Sequence, residues 1–251
     1  MAGHSKWATT KHRKAAQDKK RSALFSKLSR MITVAAKTGG DPNPENNAAL
    51  AAAIAKAKSY SLPKDKIEAA IAKAFGGGDV EAFEEVVYEG YAPAGVALYV
   101  EALTDNRNRT AADVRSAFTR AGGNLGATGS VAFQFERKGE IAIEREGAPD
   151  EDELMLLVAD AGGEDLEGGE DGWLVYTAQS DIMAVKAALE AAGVPVKGAE
   201  LVMEPVTTTV VSVEDAKKVL RLVDTLEDLD DIQTVYHTME LTDEIAAALE
   251  E

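Results

Sequence analysis

The 251-residue sequence predicts an α+β fold, in which an N-terminal helical domain is followed by two α/β domains. Apolar residues recur with helical spacing up to residue 75, and three glycines at 76–78 then interrupt the pattern. Beyond them, short runs rich in valine, tyrosine and alanine alternate with helical segments. The charge changes sign at the same place: residues 1–75 contain 15 basic and 5 acidic residues, and the remaining 176 contain 12 and 38.

The composition excludes several classes of protein. With 45% hydrophobic residues, the chain is expected to fold around hydrophobic cores rather than remain disordered. It contains no cysteine, which excludes disulfides, thiolate zinc sites and cysteine nucleophiles. No segment approaches about 18 consecutive apolar residues, and the basic N-terminus lacks the apolar core of a signal peptide. We therefore expect a cytoplasmic protein without a membrane partner.

The N-terminal domain, residues 1–78, is predicted to consist of helices. In segment 24–37 the large apolar side chains fall on one helical face, and the lysines and arginine lie on roughly the opposite face. A stretch rich in glycine and proline at 39–44 ends this helix. Further helices are predicted around 50–57 and over 63–75, the last with proline in its first turn.

The second domain is predicted to be discontinuous, with the third domain inserted into it. Its two parts are residues 79–135 and 205–251, and the inserted part is 136–204. We expect the following elements in the discontinuous domain: strands at 84–91 and 95–103, a helix at 110–121, a strand at 131–135, a strand at 206–211, a helix at 214–226 and a strand at 232–239.

The inserted domain shows the clearest order of elements. Over 139–205 the pattern indicates strand, helix, strand, strand, helix and strand. This order is the split βαβ arrangement of ferredoxin-like domains. We interpret the discontinuous domain as a second ferredoxin-like unit, because its predicted elements complete the same kind of pattern.

A dense cluster of basic residues at the N-terminus is the strongest candidate for a binding site. Lysine and arginine suit phosphates because each contact releases a condensed counterion, and tryptophan or histidine can stack on a base. The alternative is a solvated helix face with Trp7 in the core. The predicted nucleic-acid-binding residues of this region are His4, Lys6, Trp7, Lys11, His12, Arg13, Lys14, Lys19, Lys20, Arg21, Lys27 and Arg30.

Two further motifs flank the predicted helix 110–121. Polar residues at 104–110 cap its start, and Arg107 and Arg109 are added to the predicted nucleic-acid-binding set because capping does not require them. Glycines at 122–129 close the helix and are expected to form a mobile loop. A helix of about 12 residues places the two motifs about 18 Å apart, so we do not expect them to form one compact catalytic pocket.

Other candidate sites have ordinary structural explanations. The acidic segment 226–231 lacks the alternating oxygens and central glycine of a calcium loop, so a solvated acidic turn is the preferred interpretation. His237 stands alone in a predicted strand and is expected to be a partly buried structural histidine. The sequence contains no nucleophile elbow and no Walker-type phosphate loop. We therefore predict neither catalytic activity nor a metal or other cofactor.

Six blocks of the sequence, at 2–7, 11–18, 104–110, 122–126, 129–133 and 226–237, also resemble a known family. The chain resembles the YebC family of bacterial proteins, whose members have been called probable transcriptional regulators. It is also similar to the mitochondrial translational activator of cytochrome c oxidase. The resemblance implies a three-domain fold, in which a helical basic domain is followed by two α/β domains around a cavity.

The resemblance leaves two functions open, and a third follows from charge. Family members are interpreted either as promoter-binding regulators of transcription or as ribosome-associated factors that relieve stalling, for example at consecutive prolines. A basic arm beside an acidic body suits a crevice in folded RNA, whereas the family's naming favours DNA. Alternatively, the acidic domains dock a basic protein, as in an adaptor. We expect a nucleic-acid-binding regulator of gene expression, with promoter DNA or ribosomal RNA as partner.

Overall fold

The computed structural model describes residues 6–76, 83–169 and 172–250, with side chains from Ser22 onward apart from those of Asp243 and Glu250. In chain order the helices are α1 Lys6–Gly39, α2 Ala48–Ser59, α3 Lys64–Phe75, α4 Arg107–Arg120, α5 Glu151–Ala161, α6 Ile182–Ala191, α7 Val213–Glu227 and α8 Asp243–Glu250. The strands are β1 Glu84–Tyr91, β2 Ala97–Thr104, β3 Asn124–Leu125, β4 Phe135–Glu144, β5 Asp165–Gly169, β6 Gly172–Ala178, β7 Val196–Pro205 and β8 Ile232–His237.

The predicted helices of the N-terminal region are confirmed. The apolar stripe of α1 packs on α2 and α3, and Ile32 and Leu50 are fully buried between them. Asn47 fixes the start of α2, because its side chain accepts a hydrogen bond from the Leu50 N–H at 3.0 Å and donates one to the Ala35 carbonyl at 3.0 Å. Among the side chains that the structure describes, the stripe begins at Leu24.

The first sheet has the strand order β3-β1-β2-β8, and all its pairings are antiparallel. Helices α4 and α7 bury Phe118 and Leu222 in one core with this sheet. The second sheet has the order β5-β6-β4-β7 and is likewise antiparallel. Helices α5 and α6 pack on it through Leu154 and Leu189.

The chain visits the two sheets in an order compatible with an insertion. It leaves the first sheet after β3, builds the whole second sheet, and returns to the first sheet with β8. In the second sheet the element order predicted for 139–205 is confirmed. The division into separate domains remains a prediction.

Two predicted strands of the first sheet are wrong. Segment 131–135 forms a short 3-10 turn over Ala132–Gln134, because the N–H groups of Val131 and Ala132 donate to a carboxylate instead of a neighbouring strand. Segment 206–211 is a loop that pairs with the sheet only through one bridge, from Thr209 to Met239. The first sheet therefore does not have the ferredoxin-like element order that we expected, and the sequence pattern did not predict α8.

Candidate nucleic-acid interface

Most of the predicted basic site lies at the start of the chain. His4 is outside the described residues, and the side chains of Lys6, Trp7, Lys11, His12, Arg13, Lys14, Lys19, Lys20 and Arg21 are also outside the described part. The backbone of 6–21 is helical and belongs to α1. At 1.5 Å per residue, this stretch of helix is about 24 Å long. Its seven lysines and arginines, against Asp18 alone, give the segment a net positive charge.

The next two predicted residues, Lys27 and Arg30, make contacts within the protein. Lys27 Nζ donates to the Glu227 carbonyl at 2.6 Å, and Arg30 Nη1 donates to the Asp230 carbonyl at 3.1 Å. The Arg30 guanidinium also lies over the Phe83 ring, 5.1 Å from its centroid. Burial lowers the pKa of the Lys27 ammonium, although Glu227 and Asp230 act in the opposite direction. Both cations therefore dock α1 against the end of α7.

Asp231 accepts hydrogen bonds from three separate segments of the chain. Its Oδ1 accepts from Arg30 at 3.2 Å, and its Oδ2 accepts from Arg109 at 2.8 Å. The hydroxyls of Thr104 and Thr110 also donate to Oδ2, at 3.2 and 2.7 Å. Burial alone raises the pKa of this carboxyl, but the hydrogen bonds from Arg109 and Thr110 outweigh burial, so the pKa is lowered.

The expectation of a solvated acidic turn at 226–231 is thus wrong for Asp231. This residue is only 8% exposed, and it joins α1, β2 and α4. Charged side chains are seldom buried unless they are paired, and Asp231 is paired with two arginines. No local sequence signal marks this role, because the partners lie 121 or more residues away.

Arg107 and Arg109 differ in their availability to a ligand. Arg109 Nη2 contacts Asp105 Oδ1 at 2.6 Å as well as Asp231, and these hydrogen bonds raise its pKa. The Arg107 side chain is 63% exposed and lies 3.6 Å from the equally exposed Glu84. The charge of Arg109 is therefore compensated within the protein, and Arg107 is the more accessible cation.

The two motifs at the ends of α4 line one open groove. Asn106 and Arg107 at the start of α4 line a groove of about 670 Å³ together with Gly126 and Thr128. After β3 the loop returns along β1, where the Gly126 N–H donates to the Glu89 carbonyl at 2.8 Å. The helix alone would separate the two motifs by about 18 Å, and the returning loop brings Gly126 and Thr128 back beside the start of α4.

A buried carboxylate organises this loop. Glu89 is 3% exposed, and its two oxygens accept the N–H groups of Gly129, Val131 and Ala132 at 2.6, 2.8 and 2.7 Å. We call residues 126–133 the Glu89 loop. The glycines of this segment predicted a mobile loop, whereas the structure shows a hydrogen-bonded one.

The Glu89 loop ends in Phe133, which is not among the predicted nucleic-acid-binding residues. Phe133 is 74% exposed, although its neighbours Val131 and Phe135 are buried. Tyr91, two residues after Glu89 in β1, also contacts this segment. Its hydroxyl donates to the Ser130 carbonyl at 3.2 Å and accepts from Gln134 Nε2 at 3.0 Å. The sequence signal for Phe133 is that it is the one large aromatic residue in the uncharged segment 126–133.

A cavity of about 850 Å³ lies where the helical region meets both sheets. Leu28 from α1 and Tyr99 from β2 contribute to its wall. Burial raises the pKa of Glu101 in this wall, and Arg137 acts in the opposite direction. Lys56 of α2 pairs with Glu200 of β7 at 2.8 Å, so α2 closes the cavity against the second sheet. The cavity expected from the family resemblance is present.

The structure also bears on the expectations for His237, for a metal site and for a membrane-spanning helix. His237 is half-buried at the end of β8. Among the residues that the structure describes, no three histidine, aspartate or glutamate residues are grouped so that they could hold a metal ion. Within the same residues, no helix is both long enough and apolar enough to cross a membrane.

Comparison with known proteins identifies relatives along the whole chain. Residues 5–77 match the family model described as the TACO1/YebC protein N-terminal domain, and residues 83–239 match that of the TACO1/YebC second and third domain. A probable transcriptional regulatory protein of Aeromonas salmonicida is 52% identical over 250 residues, covering 99% of this chain and 100% of that protein. The probable transcriptional regulatory protein YebC of Escherichia coli is 50% identical with the same coverage.

A solved structure shows the same fold. The crystal structure of a conserved hypothetical protein from Aquifex aeolicus superposes with a TM-score of 0.81 at 46% sequence identity, covering 90% of this chain and 93% of that one. The family models and the full-length relatives agree with each other and with this structural match. The chain belongs to the TACO1/YebC family.

Proposed function

We propose that the protein regulates gene expression by binding nucleic acid through the basic N-terminal part of α1. The segregation of charge carries this proposal: residues 1–75 have a net charge of +10 and the rest of the chain has −26. A polyanion is attracted to the first part and repelled by most of the second, so it approaches from one end. The names of the relatives, probable transcriptional regulatory proteins, support promoter DNA as the ligand.

The internal contacts of α1 refine the set of binding residues. Lys27 and Arg30 dock the helix on the acidic end of α7, which leaves residues 6–21 as the segment that meets phosphates. We assign Lys27 and Arg30 a positioning role and retain Lys19, Lys20 and Arg21 as contact residues. We call residues 6–21 the arm and the acidic part of the chain after residue 75 the body. The two docked cations orient the arm relative to the body.

The proposed architecture is a basic helical domain and two α/β domains, with the third inserted into the second. The ferredoxin-like assignment applies to the second sheet, whose strand order β5-β6-β4-β7 and alternating helices support it. The contact between Lys56 and Glu200 and the contacts of Asp231 hold the helical domain against both sheets. The arm is thereby presented on a body of defined shape.

Translation is a second candidate level of regulation. The strongly acidic body disfavours lying along an extended duplex, because much of the protein surface repels phosphates. An arm that alone enters a crevice suits folded RNA, including ribosomal RNA. Sedimentation with polysomes, with and without nuclease, distinguishes this candidate from promoter binding in a gel shift at physiological salt.

The test measures how salt affects binding of duplex DNA by the wild type and by two variants that have the same net charge as each other. If about six phosphates of duplex DNA are contacted, log K falls against log salt with a slope near −5. Reversal of Lys19, Lys20 and Arg21 to Glu changes the net charge of residues 1–75 from +10 to +4 and is expected to weaken binding and flatten the slope. Reversal of the exposed Lys64, Lys66 and Lys73 of α3 changes the charge equally. Equal losses in the two variants would contradict binding by the arm.

A further inference from the structure

The acidic body contains one stretch of opposite charge, and it coincides with α4 and the loop that follows. Residues 107–135 hold four arginines and one acidic residue, Asp113. The rest of the chain after residue 75 holds 8 basic and 37 acidic residues. Residues 121–135 carry no charge at all, in a chain of which 28% is charged. A polyanion is therefore repelled less at this stretch than elsewhere on the body.

Three of the four arginines are accessible to a ligand. Arg115 and Arg120 are exposed on the outer side of α4, and neither is paired with a carboxylate among the described residues. Arg107 is exposed and only loosely opposed by Glu84 at 3.6 Å. Arg109 alone is compensated, by Asp105 and Asp231. The charge of α4 is thus available mainly along its solvent face.

Phe133 adds an aromatic ring at a defined position. An exposed side chain of this size costs free energy in water, and three hydrogen bonds to Glu89 hold the backbone just before it. A ring on a backbone that is already ordered loses little conformational freedom when a ligand stacks on it. Gly129, with φ at +85°, has open space where a Cβ would lie, so the loop presents no side chain at this position.

Helix α4, strand β3 and the Glu89 loop follow one another along one margin of the first sheet. β3 is the edge strand, α4 packs against it, and the Glu89 loop continues along β1 beyond it. The groove that holds Arg107 and Thr128 lies between the helix and the loop. Phe133 follows five residues after Thr128, at the end of the same loop.

We propose that this margin, residues 107–133, is a second nucleic-acid contact, in which Arg107, Arg115 and Arg120 meet phosphates and Phe133 stacks on an unpaired base. The proposal rests on the proposed function and specifies its ligand, a strand with at least one unstacked nucleotide. A basic protein partner fits less well, because the local net charge is +3. Bases within a continuous duplex are already stacked on their neighbours, so the aromatic contact selects single-stranded or looped regions.

The experiment measures binding of the full-length protein to a fluorescent 12-nucleotide RNA and to its blunt duplex. Phe133→Ala is expected to weaken single-strand binding by about 5- to 150-fold, the range for loss of one stacked base. Duplex binding should change by less than about two-fold, and Phe133→Trp should retain single-strand affinity. Leu156→Ala, which removes another exposed apolar side chain, is the matched control. Equal effects of the two alanine variants would overturn the stacking role.

The arginines are tested by reversing Arg115 and Arg120 to Glu, with Lys217 and Arg221 on the exposed side of α7 reversed to Glu as control. The α4 variant should weaken both RNA forms and flatten the salt slope, and the α7 variant should affect both less. If the arm variant loses affinity while the Phe133 and α4 variants bind like the wild type, only this inference fails. If the wild type binds neither RNA nor DNA, the proposed function fails with it. Unchanged RNA binding with loss of a protein partner by Phe133→Ala would replace the inference with a protein-docking edge.

Discussion

Asp231 accepts a hydrogen bond from Arg30 across 201 residues of sequence, at 3.2 Å. The contact joins the helical region to the first sheet, and Arg109 completes it from α4 at 2.8 Å on the other carboxylate oxygen. Each arginine would otherwise be an accessible cation. The pairing therefore sets both the position of the arm and the number of cations left for a ligand.

Asp231→Asn should destabilise the protein. The amide retains one acceptor oxygen but loses the charge that opposes both arginines, and its NH₂ group faces other donors. We expect the free energy of unfolding to fall by about 1–3 kcal/mol in urea titrations, the usual cost of disrupting buried hydrogen bonds to a charged group. Asp230→Asn is the control, because Arg30 contacts only the backbone carbonyl of that exposed residue. Equal stabilities of the two variants would contradict the role of the Asp231 carboxylate.

The contribution of Asp231 to stability should depend on pH. Its folded-state pKa is lowered, so its contribution is fully present above the unfolded value of about 3.9 and is lost as the pH falls through the folded value. The difference in unfolding free energy between wild type and Asp231→Asn should therefore be constant from pH 7 to about 5 and shrink below about 4. Urea titrations at pH 7, 5, 4 and 3 measure it. A difference that persists unchanged at pH 3 would be inconsistent with an ionised Asp231 as its source.

Alanine variants of Arg107 and Arg109 should show that Arg109 stabilises the fold and that Arg107 contributes to binding. Arg109→Ala removes two close hydrogen bonds to carboxylates, so it should lower the melting temperature more than Arg107→Ala, which removes one loose and exposed contact. Arg107→Ala should in turn weaken RNA binding with the melting temperature nearly unchanged. Differential scanning calorimetry together with RNA titration measures both. The assignment is reversed if Arg107→Ala is the less stable variant.

Glu89→Gln should release the backbone of the Glu89 loop. The carboxylate accepts three N–H groups, and an amide offers one oxygen and directs its own N–H groups toward them. We expect faster amide hydrogen exchange at Gly129, Val131 and Ala132, with a loss of unfolding free energy of about 1–3 kcal/mol. Glu85→Gln, an exposed residue of the same strand, is the control. Unchanged exchange at these amides would show that the loop is held by other contacts.

Trp7→Ala should distinguish a binding from a packing role for the aromatic residue of the arm. If Trp7 stacks on a base, affinity should fall by about 1–3 kcal/mol while the salt slope remains unchanged, because no phosphate contact is lost. A core position would instead cost the helical region about 3–5 kcal/mol of stability. We expect the first result, measured by titration at several salt concentrations and by thermal unfolding. Normal binding, or unfolding of the variant, would rule out stacking.

The sequence by itself determined the elements that depend on local pattern. Apolar spacing and the glycine- and proline-rich stretch at 39–44 predicted the helical region, and alternating patterns predicted the order of elements over 139–205. The division of charge at residues 76–78 is likewise a property of the sequence alone. These features need no knowledge of distant contacts, because periodicity and turn residues act within a few positions.

Tertiary structure decided the features that depend on distant partners. The β-branched and aromatic residues of 131–135 suggest a strand. Instead, the N–H groups of Val131 and Ala132 donate to the carboxylate of Glu89, more than 40 positions earlier, and the chain turns. The accessibility of Arg30 and Arg109 depends in the same way on Asp231. A basic or aromatic residue can be recognised in a sequence, but its freedom to meet a ligand depends on which opposite charges and hydrogen-bonding groups the fold brings beside it.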